Sequence, residues 1–442
     1  IKAGSSEAGN WAASSHTGAI ANSDVFIDTL FNKAGIIRYY GRHELLTIEG
    51  ILLQKEIKGK NIAIITHAGG PAVMLTDVLS KNGINIPPLE GKDVEILLSQ
   101  LFDGSSVSNP IDFLATGNAQ QLDAIIEFCE NSPEIDAIAV IFGSPGLIAV
   151  DDVYEVLNRK IKTSKKPVYA ILPSVVNVKN EIKQFLKKGN IAFSDEVLFG
   201  NALAKVINHP MTSDNNKDTD FKFFQRTRKL IEELPNGYMP TEYAIKLLDY
   251  AGVNFATPFH VKNKTELHTV SKSITYPVVL KVEGPLHKSD VGGVILNISN
   301  EAELYDAFHK LMQIDGATSV IIQSMLKGME LFIGAKKETN YPHVILCGLG
   351  GIFVEVLKDI SAVMTPVTNE EAIEMISNLK AYPILKGVRG QNGINIKLFA
   401  DTIVKISKLL DVVPEIAELD LNPLIATQKD LTAVDVRIRL EK

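Results

Sequence analysis

The strongest constraint on the fold is a pattern that repeats from residue 60 onward. Short apolar runs at 61–66, 136–142, 167–172 and 191–194 end in polar or turn-forming residues, and amphipathic stretches of helical length follow most of them. Buried strands that alternate with helices build a parallel sheet with helices on both faces. The pattern therefore predicts a doubly wound α/β domain over residues 53–208.

Residues 1–52 look like the last elements of a similar unit. The apolar pattern predicts a helix over 23–33, a strand over 36–39 and a helix over 44–54. We therefore expect this segment to be the C-terminal remnant of an earlier α/β domain.

The apolar periodicity stops between residues 207 and 222, where the sequence is polar and carries charges of both signs. Such a stretch is typical of a linker, which we place at 209–222. Residues 223–442 then read as an α+β mixture, in which Thr241 is predicted to cap a helix ending at Tyr250. Four strands are predicted there, with hairpin-like rather than helical connections: 278–282, 294–298, 320–323 and 331–336.

Composition narrows the range of partners. The chain of 442 residues has a formal net charge of −7 and 22% charged residues, so no broad basic field is present for a nucleic acid or an anionic membrane. Small molecules are the expected partners. Cys129 and Cys347 cannot form a disulfide framework, and no apolar run is long enough for a bilayer, so we expect a soluble, cytoplasmic protein.

Two small-residue clusters predict anion sites. The turn at 4–9 is followed by Ser15-His16-Thr17-Gly18, where His16 is accessible for phosphorylation, although an ordinary loop histidine has the same surroundings. In the second cluster, Gly69 and Gly70 let the backbone approach an anion, and Pro71 suits the first position of a helix.

An anion site and a plain structural turn remain equally open for the second cluster. His67 reads as a neighbour of this turn rather than as a catalyst. A similar turn at 108–112 either holds polar ligand groups or is a tight connection.

A third cluster has the parts of a nucleotide site. Lys281 lies at a predicted strand end, Gly292 and Gly293 form a turn between strands, and Glu330 follows a connecting strand. Asn422 and Asp435 supply oxygen ligands from two strands that are predicted to pair. Lysine offsets phosphate charge and hard oxygen ligands suit Mg²⁺, so these residues together predict a site for ATP or ADP with magnesium.

Read together, these motifs resemble the ADP-forming (NDP-forming) acyl-CoA synthetase family, whose relatives include succinyl-CoA synthetase. The segments that carry the resemblance are 15–19, 69–71, 286–294, 348–351, 353–359, 387–390 and 418–423. The resemblance implies flavodoxin-like, doubly wound ligase domains followed by an α+β ATP-grasp domain over 223–442. It also implies a phosphohistidine that is held between two helix N-termini and then carried on a swivelling loop to the nucleotide.

The resemblance implies a role for each matching residue. His16 would accept the phosphoryl group from an acyl phosphate, and His287 would be a second phosphoryl-carrying histidine. The phosphate contacts would be Gly69, Gly70, Pro71, Ala72 and Arg389. The nucleotide contacts would be Lys281, Gly292, Gly293, Gln323, Ser324, Met325 and Glu330, and the Mg²⁺ ligands would be Asn422 and Asp435.

The sequence also departs from the family pattern. Members of the family carry a Rossmann-like CoA-binding domain and most of the first ligase domain before the equivalent of Ile1, including a glutamate that positions the phosphohistidine. We therefore expect this chain to be the C-terminal part of a longer fused polypeptide that forms a homo-oligomer. CoA would be bound mainly by the upstream region.

The function implied is an acid–thiol ligase that interconverts acyl-CoA, ADP and phosphate with acid, CoA and ATP, with acetyl-CoA as the expected substrate. Three alternatives remain: a succinyl-CoA-type ligase, a regulatory protein acetyltransferase on a degenerate synthetase, and a nucleotide-sensing scaffold without catalysis. The order of the domains argues against the first, and the intact His16 and nucleotide residues argue against the second. Phosphorylation of His16 would separate the third from the others. The sequence leaves open the acyl group, the choice of ADP or GDP, the direction of flux and the oligomeric state.

Overall fold

The computed structural model of the chain describes residues 24–143, 150–173, 178–209, 221–284, 292–337, 341–351, 359–388, 390 and 392–442. It divides into two compact units. The parallel-sheet unit contains the described residues of Ala34–Met211, and the two-sheet unit contains those of Ile1–Lys33 and Thr212–Lys442. The boundary between the units at residues 211 and 212 falls within the predicted linker. The domain boundaries at 52 and 222 stay predictions.

The parallel-sheet unit is built on five parallel strands in the order β2-β1-β3-β4-β5. The strands are β1 (Ile62–Thr66), β2 (Ile111–Asp112), β3 (Ala137–Ile141), β4 (Val168–Ile171) and β5 (Ala192–Phe193). This is the strand order of flavodoxin-like sheets. The predicted doubly wound fold is confirmed, and so are the four predicted strands of this unit.

Helices cover both faces of this sheet. They are α2 (Arg42–Leu52), α3 (Gly69–Lys81), α4 (Lys92–Leu98), α5 (Ala119–Asn131), α6 (Asp151–Thr163), α7 (Lys179–Lys187) and α8 (Glu196–Ile207). Alternate residues of β1 enter different cores: Ile62 and Ile64 pack with α2, α3 and α8, whereas Ala63 and Ile65 pack with α4 to α7. Burial of both strand faces explains why these strands read as continuous apolar runs.

The predicted strand at 36–39 is wrong. These residues belong to no strand, and Ile37 and Tyr39 instead pack, partly buried, against the core formed by α2, α3 and α8. Alternating apolar residues need one buried side, and here helices supply it without a hydrogen-bonded neighbour strand.

The two-sheet unit contains a four-stranded sheet in the order β7-β10-β8-β9 and a seven-stranded sheet in the order β13-β12-β11-β14-β16-β6, with β15 paired to β14. Its strands are β6 (Gly237–Tyr238), β7 (Phe259–Val261), β8 (Val278–Glu283), β9 (Val294–Ile298), β10 (Ser319–Ser324), β11 (Met329–Lys337), β12 (His343–Leu349), β13 (Ile360–Met364), β14 (Ile416–Ala426), β15 (Leu431–Ala433) and β16 (Arg437–Leu440). All pairings in both sheets are antiparallel. The four predicted strands are confirmed.

The helices of this unit are α1 (Asp24–Lys33), α9 (Phe221–Glu232), α10 (Thr241–Tyr250), α11 (Lys264–Ser271), α12 (Glu301–Met312), α13 (Asn369–Ser377), α14 (Tyr382–Lys386) and α15 (Ile396–Val412). The prediction of hairpin-like connections fails between β9 and β10, which α12 joins. Because β10 pairs with the far side of β8, the chain must cross the sheet, and α12 buries Leu304 and Leu311 on the way. β10 and β11 are no hairpin either, since they lie in different sheets.

Two helix ends of this unit bear on the predictions. Thr241 is the first residue of α10 and not its cap; Pro240 holds the cap position without a side-chain hydrogen bond. The predicted helix at 23–33 is confirmed as α1, where Phe26 packs on Val344 and Met364 and Lys33 pairs with Glu371 at 2.7 Å. Across the described part of the chain, no helix combines the length and apolar character that a membrane crossing requires.

Candidate functional site

A sharp turn joins β1 to α3 in the parallel-sheet unit. The Thr66 hydroxyl accepts a hydrogen bond from the Ala68 N–H at 3.0 Å and donates one to the Ala68 carbonyl at 2.8 Å. α3 then begins at Gly69, with Ala68 as a cap residue that makes no side-chain hydrogen bond. The helix starts two residues before Pro71, so the prediction that Pro71 is its first residue is wrong.

This start leaves main-chain donors at the helix end. The first four N–H groups of an α-helix have no intrahelical acceptor, and Pro71, the third residue, has no N–H to leave unpaired. The four groups belong to the cap residue Ala68 and to residues 69–71, and the Ala68 N–H already donates to the Thr66 hydroxyl. The remaining donors are therefore Gly69 and Gly70, both exposed, while Ala72 is the first residue whose N–H has an intrahelical acceptor, and its side chain is buried in the core. Donors at a helix N-terminus suit an anion, as predicted for Gly69 and Gly70.

Two side chains flank this turn. Asp112 ends β2; its Oδ1 accepts a hydrogen bond from the Leu114 N–H at 2.9 Å, and its Oδ2 lies 4.0 Å from where a Cβ on Gly69 would be. His67 follows β1 and stacks on Phe142 with ring centroids 4.5 Å apart. The carboxyl ends of β1, β2 and β3 therefore bring a carboxylate and an imidazole next to the start of α3.

The hydrogen bonds of Asn109 favour the interpretation of the turn at 108–112 as a tight connection. Its amide oxygen accepts a hydrogen bond from the Ile64 N–H at 2.9 Å, and its amide nitrogen donates to the carbonyls of Ile62 and Pro87 at 2.8 and 3.1 Å. Asn109 thus stands in for a neighbouring strand beside β1. The hypothesis that it holds a ligand loses support, because both ends of its amide already have main-chain partners.

The two-sheet unit places Lys281 against the loop that contains Asp435. Lys281 lies within β8, paired with β9 and β10, and is only 8% exposed. Its ammonium group donates to the carbonyl of Val434 at 2.6 Å. Val434 in turn donates its N–H to the carbonyl of Pro423 at 3.1 Å, so one short path of hydrogen bonds leads from Lys281 to the segment of Asn422.

Gln323 joins the same region from β10. Its amide nitrogen donates to the Ala256 carbonyl at 2.8 Å, and the Ala256 N–H donates to the Ala433 carbonyl at 2.9 Å. Gln323 is 2% exposed, and its amide oxygen has no hydrogen-bond partner among the described residues. A buried acceptor of this kind suits an N–H donor of a bound molecule, such as the amino group of adenine.

The other predicted nucleotide contacts lie around these strands. Ser324 is exposed at the end of β10, and the Met325 N–H donates to the Pro277 carbonyl at 3.0 Å. Gly292 has a φ of +66°, which favours glycine, and the Gly293 carbonyl accepts from the Val282 N–H at 2.8 Å. Both glycines therefore stand directly ahead of β9, beside the strand of Lys281.

Glu330 and Asn422 meet at Gly351. The Gly351 N–H donates to the Asn422 side-chain oxygen at 3.1 Å. A Cβ on Gly351 would lie 1.9 Å from Oε2 of Glu330, and its φ is +60°. Only glycine lets the carboxylate of Glu330 approach the backbone here.

The predicted magnesium ligands lie close together, with one correction. Asp435 is not on a strand, because it lies in the connection between β15 and β16. Asn422 lies in β14, where the pairing with β11 shifts register between Leu331 and Ile333, and such bulges re-aim side chains.

The oxygen ligands that this region offers are of the chemical type that Mg²⁺ prefers. Mg²⁺ is commonly held by one or two carboxylates together with phosphate oxygens, so Asp435, Asn422 and a nucleotide would complete such a set. No group of three or more histidine, cysteine, aspartate or glutamate side chains suited to a metal occurs among the described residues.

Asp420 is an acidic residue of the segment 418–423 to which the sequence analysis assigns no role. Desolvation raises the pKa of its carboxyl group; the Arg437 guanidinium lowers that pKa in part, and the Asp435 carboxylate raises it further. Its spacing of two residues from Asn422 on one strand was the available signal, since such residues share a face of a sheet.

Three predicted site residues fall outside the described residues: His16, His287 and Arg389. The structure thus brings together Lys281, Gln323, Glu330, Asn422 and Asp435 through short hydrogen-bond paths. It places the glycine turn of α3 separately, in the other unit.

Two family models match parts of the chain. The ATP-grasp domain matches residues 233–440, and the succinyl-CoA ligase like flavodoxin domain matches residues 1–52. The beta subunit of acetate–CoA ligase (ADP-forming) I from Pyrococcus furiosus is 43% identical over 189 residues, covering 40% of this chain and 82% of that subunit. The chain belongs to the ADP-forming acyl-CoA synthetase family.

A second relative matches the whole length of this chain. The 4-hydroxybutyrate–CoA ligase (ADP-forming) of Nitrosopumilus maritimus is 31% identical over 469 residues, which cover 100% of this chain and 66% of the relative. This chain thus spans just under two thirds of that relative's length. Among solved structures, acetyl-coenzyme A synthetase 1 of Ca. Korarchaeum cryptofilum, in complex with coenzyme A and Ca-AMPCP, is 31% identical, with a TM-score of 0.45 over 49% of this chain and 99% of that one.

Proposed function

We propose that the chain supplies the nucleotide site and the phosphoryl-carrying part of an acid–thiol ligase. The reaction interconverts acyl-CoA, ADP and phosphate with acid, CoA and ATP. The observation that carries the proposal is a continuous series of contacts between well-separated parts of the sequence. Lys281 bonds to Val434, the neighbour of Asp435, and Val434 bonds to Pro423, the neighbour of Asn422. Asn422 and Glu330 in turn both adjoin Gly351. The polar and charged residues of this series match the needs of a nucleotide with magnesium, and the chain belongs to a family named for this chemistry.

In the nucleotide site, side chains supply the charge. The Lys281 ammonium group would offset phosphate charge, and Gly292 and Gly293 would cover the phosphates. Gln323, Ser324 and Met325 would line the adenine, and Glu330 would bind the ribose. Asn422 and Asp435 would hold Mg²⁺, which neutralises charge on the phosphates during transfer.

In the parallel-sheet unit, the N–H groups of Gly69 and Gly70 at the start of α3 would hold a phosphoryl group. Phosphate attacks the thioester carbonyl of acyl-CoA, and the C–S bond breaks, so that CoA leaves and an acyl phosphate forms. A nitrogen of His16 then attacks phosphorus, the P–O bond to the acyl group breaks, and the carboxylate leaves. The P–N bond to His16 then breaks as a nitrogen of His287 takes the phosphoryl group, and the P–N bond to His287 breaks as ADP takes it, with Arg389 as a phosphate contact.

The acyl group follows from the relatives only as a proposal. The relative that is 43% identical is named for acetate and the one that is 31% identical for 4-hydroxybutyrate. We propose acetyl-CoA as the substrate, because the relative named for acetate has the higher sequence identity of the two. We also propose a cytoplasmic, homo-oligomeric enzyme of greater length, in which a region outside this chain binds most of CoA.

Two alternatives are less well supported. In a succinyl-CoA-type ligase the ATP-grasp part precedes its ligase domain, whereas here the flavodoxin match at 1–52 precedes the ATP-grasp match at 233–440. A nucleotide-sensing scaffold needs the nucleotide site but no phosphohistidine.

Phosphorylation of His16 tests the proposal. In the longer protein that contains this chain, ATP labelled at its γ-phosphate should transfer label to histidine, giving an acid-labile, base-stable product. His16→Asn should abolish the label and ATP formation from acetyl-CoA, because its amide cannot carry the phosphoryl group. The control is His43→Asn, which changes an exposed histidine on α2.

Normal ATP formation by His16→Asn would overturn the phosphohistidine assignment. Nucleotide binding without any histidine label in the wild type would favour the scaffold.

A further inference from the structure

The strand order of the parallel-sheet unit creates a crevice at the ends of β1 and β3. These strands are neighbours, but the helices that follow them, α3 and α6, pack on opposite faces of the sheet. Ligands of open α/β sheets bind where such connections diverge. The start of α3 and the two described residues that directly follow β3, Phe142 and Gly143, lie at this point of divergence.

His67 lies at this place, between the end of β1 and the start of α3. Its ring stacks on Phe142 with an interplanar angle of 27°, and the Phe113 ring lies 6.4 Å away. The side chain is 9% exposed, and its Nδ1 has no hydrogen-bond partner among the described residues. A buried polar atom without a partner is costly unless something binds it.

A second buried histidine shows that burial alone does not produce this state. His343 in β12 is 3% exposed, and its Nε2 lies 2.6 Å from the carbonyl oxygen of Ile416. No nitrogen of His343 is among the buried atoms that lack a partner. Within the fold, His343 has a hydrogen-bond partner, whereas the Nδ1 of His67 has none among the described residues.

The charged and polar groups around His67 favour the protonated, positively charged form of its ring. The main-chain carbonyls of Ile141 and Gly143 face the imidazole, and because carbonyls only accept, the ring keeps a hydrogen for them. Asp112 is the titratable group whose charge acts on the ring among the described residues. Protonation of Nδ1 would then give the ring a second donor, beside the N–H groups of Gly69 and Gly70.

We propose that His67 binds the phosphoryl anion at the N-terminus of α3, donating a hydrogen bond from Nδ1 to a phosphate oxygen. The identification of the anion as a phosphoryl group rests on the proposed function. His67 is then a binding residue, which neither the glycine motif nor its exposure reveals.

Binding through Nδ1–H couples the anion to a proton. Burial lowers the pKa of His67 in the free chain, opposed in part by the carbonyls of Ile141 and Gly143 and the charge of Asp112. A bound anion stabilises the imidazolium form, so His67 takes up a proton on binding. Anion affinity therefore rises as pH falls through the pKa that His67 has in the complex.

The experiment measures sulfate binding to the 442-residue chain by calorimetry from pH 8 to pH 6. Sulfate keeps a constant charge over this range, so any pH dependence belongs to the protein. Wild-type affinity should increase by up to about tenfold per pH unit, the limit for uptake of one proton. Inorganic phosphate serves as the second probe.

Two variants separate the donor from the charge. His67→Phe keeps a ring to stack on Phe142 but has no donor, and it should lose about tenfold or more of the sulfate affinity at pH 6, together with the pH dependence. His67→Asn keeps a neutral donor and should bind sulfate with intermediate affinity that does not vary with pH. His43→Asn should behave as the wild type.

Two further measurements test where sulfate binds and whether the variants are folded. Gly70→Asp puts a carboxylate beside the helix donors, where open space surrounds Gly70, and should abolish sulfate binding. In NMR spectra of histidine side chains, sulfate should raise the pKa of His67 while leaving the resonances of His343 unchanged. A native His343 signal in each variant shows that the two-sheet unit is folded, and native circular dichroism shows the same for the chain.

The proposal is overturned if His67→Phe binds sulfate with wild-type affinity and pH dependence, or if the folded wild-type chain binds neither sulfate nor phosphate. Failure of the proposed function gives a different result, namely no binding of ADP with Mg²⁺ or no histidine label from ATP. Each of the two ideas can therefore fail while the other stands.

Discussion

The two units present their candidate anion sites by opposite means. At α3 the donors are the main-chain N–H groups of two neighbouring residues, Gly69 and Gly70, whereas the candidate nucleotide site combines side chains on β8, β10, β11 and β14 and in the loop of Asp435. Main-chain donors persist through most substitutions, but a side chain is lost by a single one. The difference teaches that single truncations should disable the nucleotide site far more readily than the glycine turn.

The largest expected effect is that of Lys281→Met on nucleotide binding. Loss of a buried ammonium group that faces phosphates should weaken the binding of ADP with Mg²⁺ by roughly a hundredfold. Sulfate binding at α3 should not change. Calorimetric titration of ADP checks this, with Lys262→Met, at an exposed lysine of the same unit, as the control. Equal ADP affinity in wild type and Lys281→Met would remove Lys281 from the site.

Asp435→Asn tests one side chain of the candidate nucleotide site more narrowly, because it removes a single charge and hardly changes the side-chain volume. Its effect should depend on the metal: affinity for ADP should fall by about tenfold with Mg²⁺ and hardly change without it, since the carboxylate acts through the ion. The exposed Asp430 supplies the control Asp430→Asn. An equal loss with and without Mg²⁺ would show that Asp435 acts on the nucleotide directly or supports the loop.

The smallest effect is expected for Gly70→Ala. Nothing lies within 4 Å of a Cβ built at Gly70, and the N–H group remains, so sulfate affinity should change by less than about twofold. The same calorimetric measurement that detects the loss in Gly70→Asp checks this. A tenfold loss with alanine would mean that the anion touches the Cα of Gly70, and the contrast between main-chain and side-chain sites would weaken.

The sequence predicted the parallel-sheet fold well because its signals are local. Buried strands between helices repeat along the chain, and the sheet follows from that period. Local signals failed where two structures share one pattern: 36–39 alternates like a strand but packs against helices. The start of α3 was misplaced because two glycines look like a turn, although they form its first residues.

The nucleotide site needed more than spacing. Nothing in the interval between Lys281 and Asp435 shows that β8 and the β15–β16 connection adjoin; the resemblance to a family suggested it, and the bond to Val434 displays it. Asp420 was missed because an acidic residue on a strand is ordinary until its neighbours are known. His67 was set aside as a neighbour of the glycine turn, and only its burial and its unpaired Nδ1 give it a role.

The bond from Lys281 to the Val434 carbonyl has a further consequence for how a nucleotide would be received. This bond fixes the ammonium group in one place, so a phosphate would meet a charge that is already positioned. A long, flexible side chain held in one rotamer has already lost up to about 2 kcal/mol of conformational freedom. That entropy is lost once, when the chain folds, and not again at each encounter with a nucleotide.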